Sequence, residues 1–149
     1  EMYQPMLKEL INAERVNIIK NVRDWKEAIK IASKPLLEDN SIEELYIENM
    51  IKSVEKYGPY IVLADRFALP HASSKEGVNK LAMSLLIVED EVDLLGKPVN
   101  IFMVLAAVDN TTHIRALASL SEMMYEEENV KLIINGDKSS ILELINKQN

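Results

Sequence analysis

Apolar residues at Met6, Leu7, Leu10 and Ile11 recur at helical spacing and predict a helix from about Pro5 to Ala13. Val16-Asn17-Ile18-Ile19 alternates and reads as a short strand. Asp24 followed by Glu27 is a capping-box pair that opens a second helix. Trp25, Ala28, Ile29, Ala32, Leu36 and Leu37 form its apolar face, and Pro35 is expected to end or bend it. Ser41 with Glu44 predicts another capping box. The helix behind it runs to about Lys56, with Ile42, Leu45, Tyr46, Met50, Ile51 and Val54 on one face and Gly58-Pro59 closing it.

The pattern then changes period. Tyr60–Ala64 and Phe67–Leu69 are short and β-prone, whereas Leu81–Val88 and Val99–Val108 are nearly continuous apolar runs. Strands that are apolar on both faces sit at the centre of a sheet covered by helices on both sides. Asp109-Asn110-Thr111-Thr112 supplies turn and capping chemistry before a helix that carries Ile114, Leu117, Ala118 and Leu120 to about Tyr125. Further helices are expected over about Glu127–Ile134 and, past the Asn135-Gly136-Asp137 break, Ser140–Lys147. The expectation is an α/β three-layer sandwich, a small mixed β-sheet flanked by helices on both faces, as a single domain over 1–149.

Composition narrows the function. The chain of 149 residues is 48% hydrophobic and 28% charged, suited to one globular core. Its formal net charge of −7 argues against direct nucleic-acid binding, which needs a basic face. Cysteine is absent, so disulfides, thiolate metal sites and cysteine nucleophiles are excluded. No apolar run reaches the roughly 20 residues that span a bilayer, so membrane insertion is not expected. Met2-Tyr3-Gln4-Pro5 begins no signal peptide, which points to a cytoplasmic chain, and the Glu1 start leans toward a domain of a longer protein.

Histidine occurs only at His71 and His113. His71 follows a predicted strand in Ala68-Leu69-Pro70-His71-Ala72, and His113 lies in the first turn of the helix after a buried strand. Both therefore fall at the mouth of the sheet, where α/β folds gather ligands and catalytic groups. Pro70 makes the approach to His71 rigid, and small residues follow it. A neutral imidazole so placed can attack a phosphoryl group or take a proton. Spacing alone is met equally by an ordinary loop histidine, and on spacing alone that reading leads. The alternatives are a zinc site using Asp65 or Asp109, which lacks ligand spacing, and a hydrolase using Ser73 or Ser74, which lacks a nucleophile elbow. No metal and no cofactor are expected.

Two segments carry a resemblance that separates these readings. Lys56-Tyr57-Gly58-Pro59-Tyr60-Ile61-Val62-Leu63-Ala64, with Phe67-Ala68-Leu69-Pro70-His71-Ala72, resembles the phosphorylation-site segment of the mannitol/fructose-type enzyme IIA family of the sugar phosphotransferase system. Val104 to Leu117 resembles the family's second-histidine segment. The wording Tyr57-Gly58-Pro59-Tyr60 is most similar to the ascorbate branch and to enzyme IIA-like domains of transcriptional antiterminators.

The resemblance implies a phosphotransferase relay in which phospho-HPr donates to His71, and His71 donates to a cysteine of enzyme IIB for sugar uptake of the ascorbate or pentitol type. The alternative it implies is a regulatory domain sensing the same flux through His71. His113 would stabilise the phosphoryl group or orient the imidazole. The helix opening near Thr111 would aim free N–H groups at that charge, and Thr112 could add its hydroxyl. Glu55-Lys56 stands where mannitol-type members carry Arg-Glu, and Ser73-Ser74-Lys75 where ascorbate-like members carry a basic residue and Pro. These departures bear on specificity and rate. Arg66 and Arg115 are the candidate replacement phosphate ligands, unassigned by the matching itself. A homodimer is left open.

Overall fold

Alternation along the two long apolar runs builds the centre of the molecule. The computed structural model describes residues 3–148, so Glu1 and Met2, on which the expectation of a longer protein rested, lie outside the described residues. Strands β1 (Val16–Ile19), β2 (Val62–Ala64), β3 (Arg66–Ala68), β4 (Ala82–Leu94) and β5 (Lys97–Ala106) form one mixed sheet in the order β1-β4-β5-β3-β2. On β5, Phe102, Val104 and Ala106 face one side, and Ile101, Met103 and Leu105 the other. The first side is covered by α2 (Trp25–Glu38) and α3 (Glu44–Tyr57). The second is covered by α1 (Leu7–Leu10), α4 (Ile114–Tyr125), α5 (Glu127–Asn135) and α6 (Lys138–Asn146). The three-layer α/β sandwich read from the sequence is the observed fold.

Strand direction decides what meets at each sheet edge. The β4–β5 pair is antiparallel and turns at Leu95-Gly96, both at positive φ (52° and 96°). The β3–β5 pair is parallel, with Phe67 opposite Ile101 and Ala68 opposite Phe102. The segments that leave β3 and β5 therefore emerge at the same edge, and each carries a histidine.

Four local expectations are corrected. The first helix is one turn, because Arg15 Nη1 donates to the Leu10 carbonyl (2.7 Å) and the chain continues into a 3₁₀ turn at Ala13–Arg15. Pro35 does not stop α2, which runs on to Glu38. Ser41 makes no capping box, since Asp39 accepts its hydroxyl (2.5 Å) and Arg15 Nη2 donates to it (3.1 Å), leaving Glu43 as the residue before α3. The first long apolar run extends to Leu94 because the acidic stretch Glu89–Glu91 sits in a bulge of β4, where Asn100 Nδ2 donates to the Val88 and Glu89 carbonyls (3.0 and 3.1 Å).

The loop after His71 docks on the start of α3. Glu43 N donates to the Gly77 carbonyl (2.8 Å), Asn79 N donates to the Ser41 carbonyl (2.8 Å), and Ile42 bridges Val78. Gly77 has φ +84°, and a Cβ there would stand 2.7 Å from the backbone nitrogen of Tyr46. Gly77→Ala is therefore expected to destabilise the fold by about 2 kcal/mol or more, through a disfavoured φ and a backbone clash. Urea unfolding of wild type and variant checks this; equal midpoints would refute it.

Candidate functional site

His71 sits where β3 runs out of strand partners but not of hydrogen bonds. Leu69 N donates to the Ile61 carbonyl (2.8 Å), and Leu105 N donates to the Pro70 carbonyl (3.0 Å), so the chain is held on both sides until the residue before the histidine. Beneath it lies Tyr46, 1% exposed. Its hydroxyl donates to the Leu105 carbonyl (2.6 Å) and accepts from Ala72 N (3.3 Å), closing the segment from below. Burial pushes the Tyr46 phenol up to about 12, so it remains a neutral donor.

The ring of His71 is oriented as closely as its backbone. Nδ1 lies 2.6 Å from the Leu69 carbonyl. A carbonyl can only accept, so in the neutral ring Nδ1 carries the proton and Nε2 carries the lone pair. Tyr60 packs edge-on against the imidazole at 5.2 Å and 82°, and its hydroxyl donates to the His71 carbonyl. His71 is half-buried: its ring is braced from one side and open from another.

His113 takes the N-cap position of α4. Its Nδ1 is buried without a hydrogen-bond partner. Burial lowers its pKa first, the positive charge of Lys75 lowers it further, Asp109 opposes both, and His71 adds a lowering effect of its own. The charges of His71 and Lys75 are thus both felt at His113, whose neutral form is favoured. Asp109 organises the loop between β5 and α4. Its carboxylate accepts from Thr111 N (3.0 Å), Thr112 N (2.8 Å) and Thr112 Oγ1 (2.5 Å), which lowers its pKa to about 2.

The other expected ligands have partners of their own. The amides of Thr111 and Thr112 and the Thr112 hydroxyl donate to Asp109. Arg66 stands at the start of β3, five residues before His71, and its guanidinium binds Glu91 and Asn100 Oδ1 (3.0 Å). Arg115 binds the N-terminal segment: its amide donates to Gln4 Oε1 (3.2 Å) and its guanidinium to the Gln4 carbonyl (3.4 Å). Tyr46 and Tyr60 brace the His71 segment, a role that sequence reasoning missed. Tyr46 had been read as one more position of an apolar stripe, and the sole available signal was that a buried tyrosine hydroxyl requires a partner. Among the described residues no group of three or more His, Asp or Glu side chains is arranged to hold a metal ion, and no helix is long and apolar enough to cross a membrane.

Residues 9–148 match the family model "Phosphoenolpyruvate-dependent sugar phosphotransferase system, EIIA 2". The chain belongs to that family. Its EIIA domain is 33% identical over 138 residues to the mannitol-specific cryptic phosphotransferase enzyme IIA component of Escherichia coli K12, covering 91% of this chain and 94% of that one. It is 32% identical over 130 residues to the ascorbate-specific EIIA component of the same strain, covering 84% of each. Among solved structures it resembles a PTS IIA domain from Streptococcus pyogenes at TM-score 0.87 and 27% identity, covering 97% and 96% of the two chains. The complex of enzyme IIAMTL and phosphorylated enzyme IIBMTL from E. coli shares the fold at TM-score 0.78 and 22% identity, over 92% and 99%. The EIIA components of this system are phosphotransferases, and that is the kind of protein this chain is.

The neutral state of His113 has a measurable consequence in the EIIA domain. Its folded pKa lies below the ordinary 6.5, so the unfolded chain binds the proton first as pH falls. The stability it contributes is fully present above about pH 6.5 and declines as pH drops toward the folded value. NMR titration of the ring should give a value below that of a free histidine, and His113→Gln should flatten the loss of stability below about pH 6.5. A ring titrating above the free value would overturn the assignment.

Proposed function

We propose that the EIIA domain, acting as one unit over 1–149, accepts a phosphoryl group from the phosphohistidine of HPr on His71 Nε2 and passes it to a cysteine of an enzyme IIB for sugar uptake. The observation that carries this reading is the bond between His71 Nδ1 and the Leu69 carbonyl, which leaves Nε2 as the unprotonated nucleophile. Phosphoryl transfer depends mainly on positioning and charge stabilisation, so a ring held by a carbonyl, a tyrosine edge and a rigid Pro70 suits the task. A neutral His113 offers one ring N–H to an oxygen of the transferred group without needing to lose or gain a proton.

The exchange balances without an outside acid or base. A donor phosphoimidazolium and neutral His71 become a neutral donor ring and a phosphoimidazolium at His71. The phosphorus–nitrogen bond breaks at the donor as it forms at Nε2, and the proton stays on His71 Nδ1, hydrogen-bonded to the Leu69 carbonyl. Onward transfer to a thiolate returns His71 to its neutral form. Partnership with an enzyme IIB is supported by the fold shared with the E. coli enzyme IIA in its complex with phosphorylated enzyme IIB. The mannitol- and ascorbate-specific relatives support a sugar or sugar acid of that kind, and a relay with HPr implies a cytoplasmic domain.

Incubation with phosphoenolpyruvate, enzyme I and HPr should add one acid-labile phosphoryl group by intact mass, and His71→Ala should abolish it. Absence of the gain in wild type, or its persistence in the variant, would refute the reading. His113→Ala should retain some phosphorylation by HPr and slow transfer to enzyme IIB by about a hundredfold, the scale of one lost stabilising donor. Equal loss in both half-reactions, measured by quenched-flow, would remove any special role for His113 in the second step.

A further inference from the structure

A phosphoryl group on His71 brings two negative charges to a site whose resident histidine is neutral, so a cation must come from elsewhere in the chain or from the partner. The arginines nearest in sequence are committed: Arg66 to Glu91 and Asn100, Arg115 to Gln4. Lys56 lies over the Tyr57 ring, 5.2 Å from its centroid. Lys75 differs from all of these. It is half-buried, and its Nζ folds back to within 3.3 Å of the carbonyl of Ser73, two residues beyond His71. Among the described residues no carboxylate lies within ion-pair distance of it.

The backbone around Lys75 is fixed as well. Ala72 N is bound to Tyr46, Glu76 N donates to Ser74 Oγ (3.2 Å), and Val78 N donates to the Lys75 carbonyl (3.1 Å). The Gly77 carbonyl anchors the far end of the loop on α3. A rigid loop therefore carries one flexible four-carbon arm, whose charge already acts on His113 across the site.

We propose that Lys75 is a catalytic residue whose ammonium leaves the Ser73 carbonyl for the oxygens of the phosphoryl group on His71 Nε2, and holds it during transfer. This rests on the His71 reading. No proton is transferred: the ammonium donates N–H bonds to phosphoryl oxygens while the phosphorus–nitrogen bond breaks at the donor ring and forms at His71. The resting contact is a single hydrogen bond to a neutral carbonyl, so the arm moves at little cost, and no carboxylate competes for it.

The test compares wild type, Lys75→Gln and Lys75→Arg in single-turnover phosphorylation from phospho-HPr, with 31P NMR of the phosphorylated domain. Lys75→Gln should slow phosphoryl uptake by about tenfold to a hundredfold, the range of one lost electrostatic donor. It should also shift the phosphohistidine 31P signal, and Lys75→Arg should restore both toward wild type. Wild-type uptake and an unmoved signal in Lys75→Gln would overturn the role of Lys75 while leaving His71 as acceptor. Failure of wild type itself to phosphorylate would instead overturn the His71 reading, and this inference with it. Circular dichroism melting separates a folding defect. Should Lys75→Gln melt early, Lys75→Met takes its place, and the same uptake and 31P criteria decide.

Discussion

The backbone of Leu105 holds the site together. Its N–H binds the Pro70 carbonyl (3.0 Å) and its C=O binds the Tyr46 hydroxyl (2.6 Å), which in turn accepts from Ala72 N. A single residue near the end of β5 thereby clamps the residues on both sides of His71. That clamp exists because β3 and β5 run parallel and leave the sheet at one edge. Parallel neighbours need a long crossover, and here the connection includes the entire β4–β5 hairpin. Residues 42 positions apart in sequence, His71 and His113, come within electrostatic reach of each other as a result of that path. A buried Tyr46 hydroxyl without these partners would cost about 1–3 kcal/mol, so the tether serves the fold and the site together.

The electrostatics follow from the same clamp. His71 is set in one tautomer by a backbone carbonyl, which can only accept. His113 is kept neutral mainly by burial. Asp109 is close enough to raise the His113 pKa, yet its oxygens are spent on Thr111 and Thr112, where they shape the turn into α4. The same three hydrogen bonds keep Asp109 ionised, so its carboxylate serves as the acceptor that shapes the loop.

Both apolar runs, the three-layer architecture and the two histidines at strand ends were legible because each depends on local pattern: periodicity of two or 3.6, and turn residues after a strand. The mixed sheet could be expected, but its order could not, since pairing of β3 with β5 is a long-range choice that no local signal marks. The capping box at Ser41 failed for the same kind of reason. Arg15 and Asp39, distant or nearby, compete for the same hydroxyl, and the tertiary network prevails over the helix start. Arg66 was an attractive phosphate ligand only while its neighbours were unknown. The bulge in β4 brings Glu91 and Asn100 to it at the start of β3, far along the strand from His71. Lys75 was visible only as part of a departure from a family pattern. Its place depends on a loop anchored by Gly77 on α3, and nothing within the loop reveals that anchor.

A carrier must release what it binds, and this limits how strongly its site can hold a phosphoryl group. A fixed arginine fork facing His71 would bind the dianion in two parallel hydrogen bonds and make the phosphorylated state a resting place. Among the described residues no such fork is seen at the histidine pair; Arg66 and Arg115 are engaged with other groups. What remains are graded contacts: a neutral imidazole, backbone-braced geometry, and a lysine resting on a carbonyl. In the proposed relay, transfer between two imidazoles is close to symmetric, so a site made of weak, well-placed contacts would lower the barrier in both directions without deepening either well. Rigidity at His71 and modest charge around it are therefore two parts of one requirement.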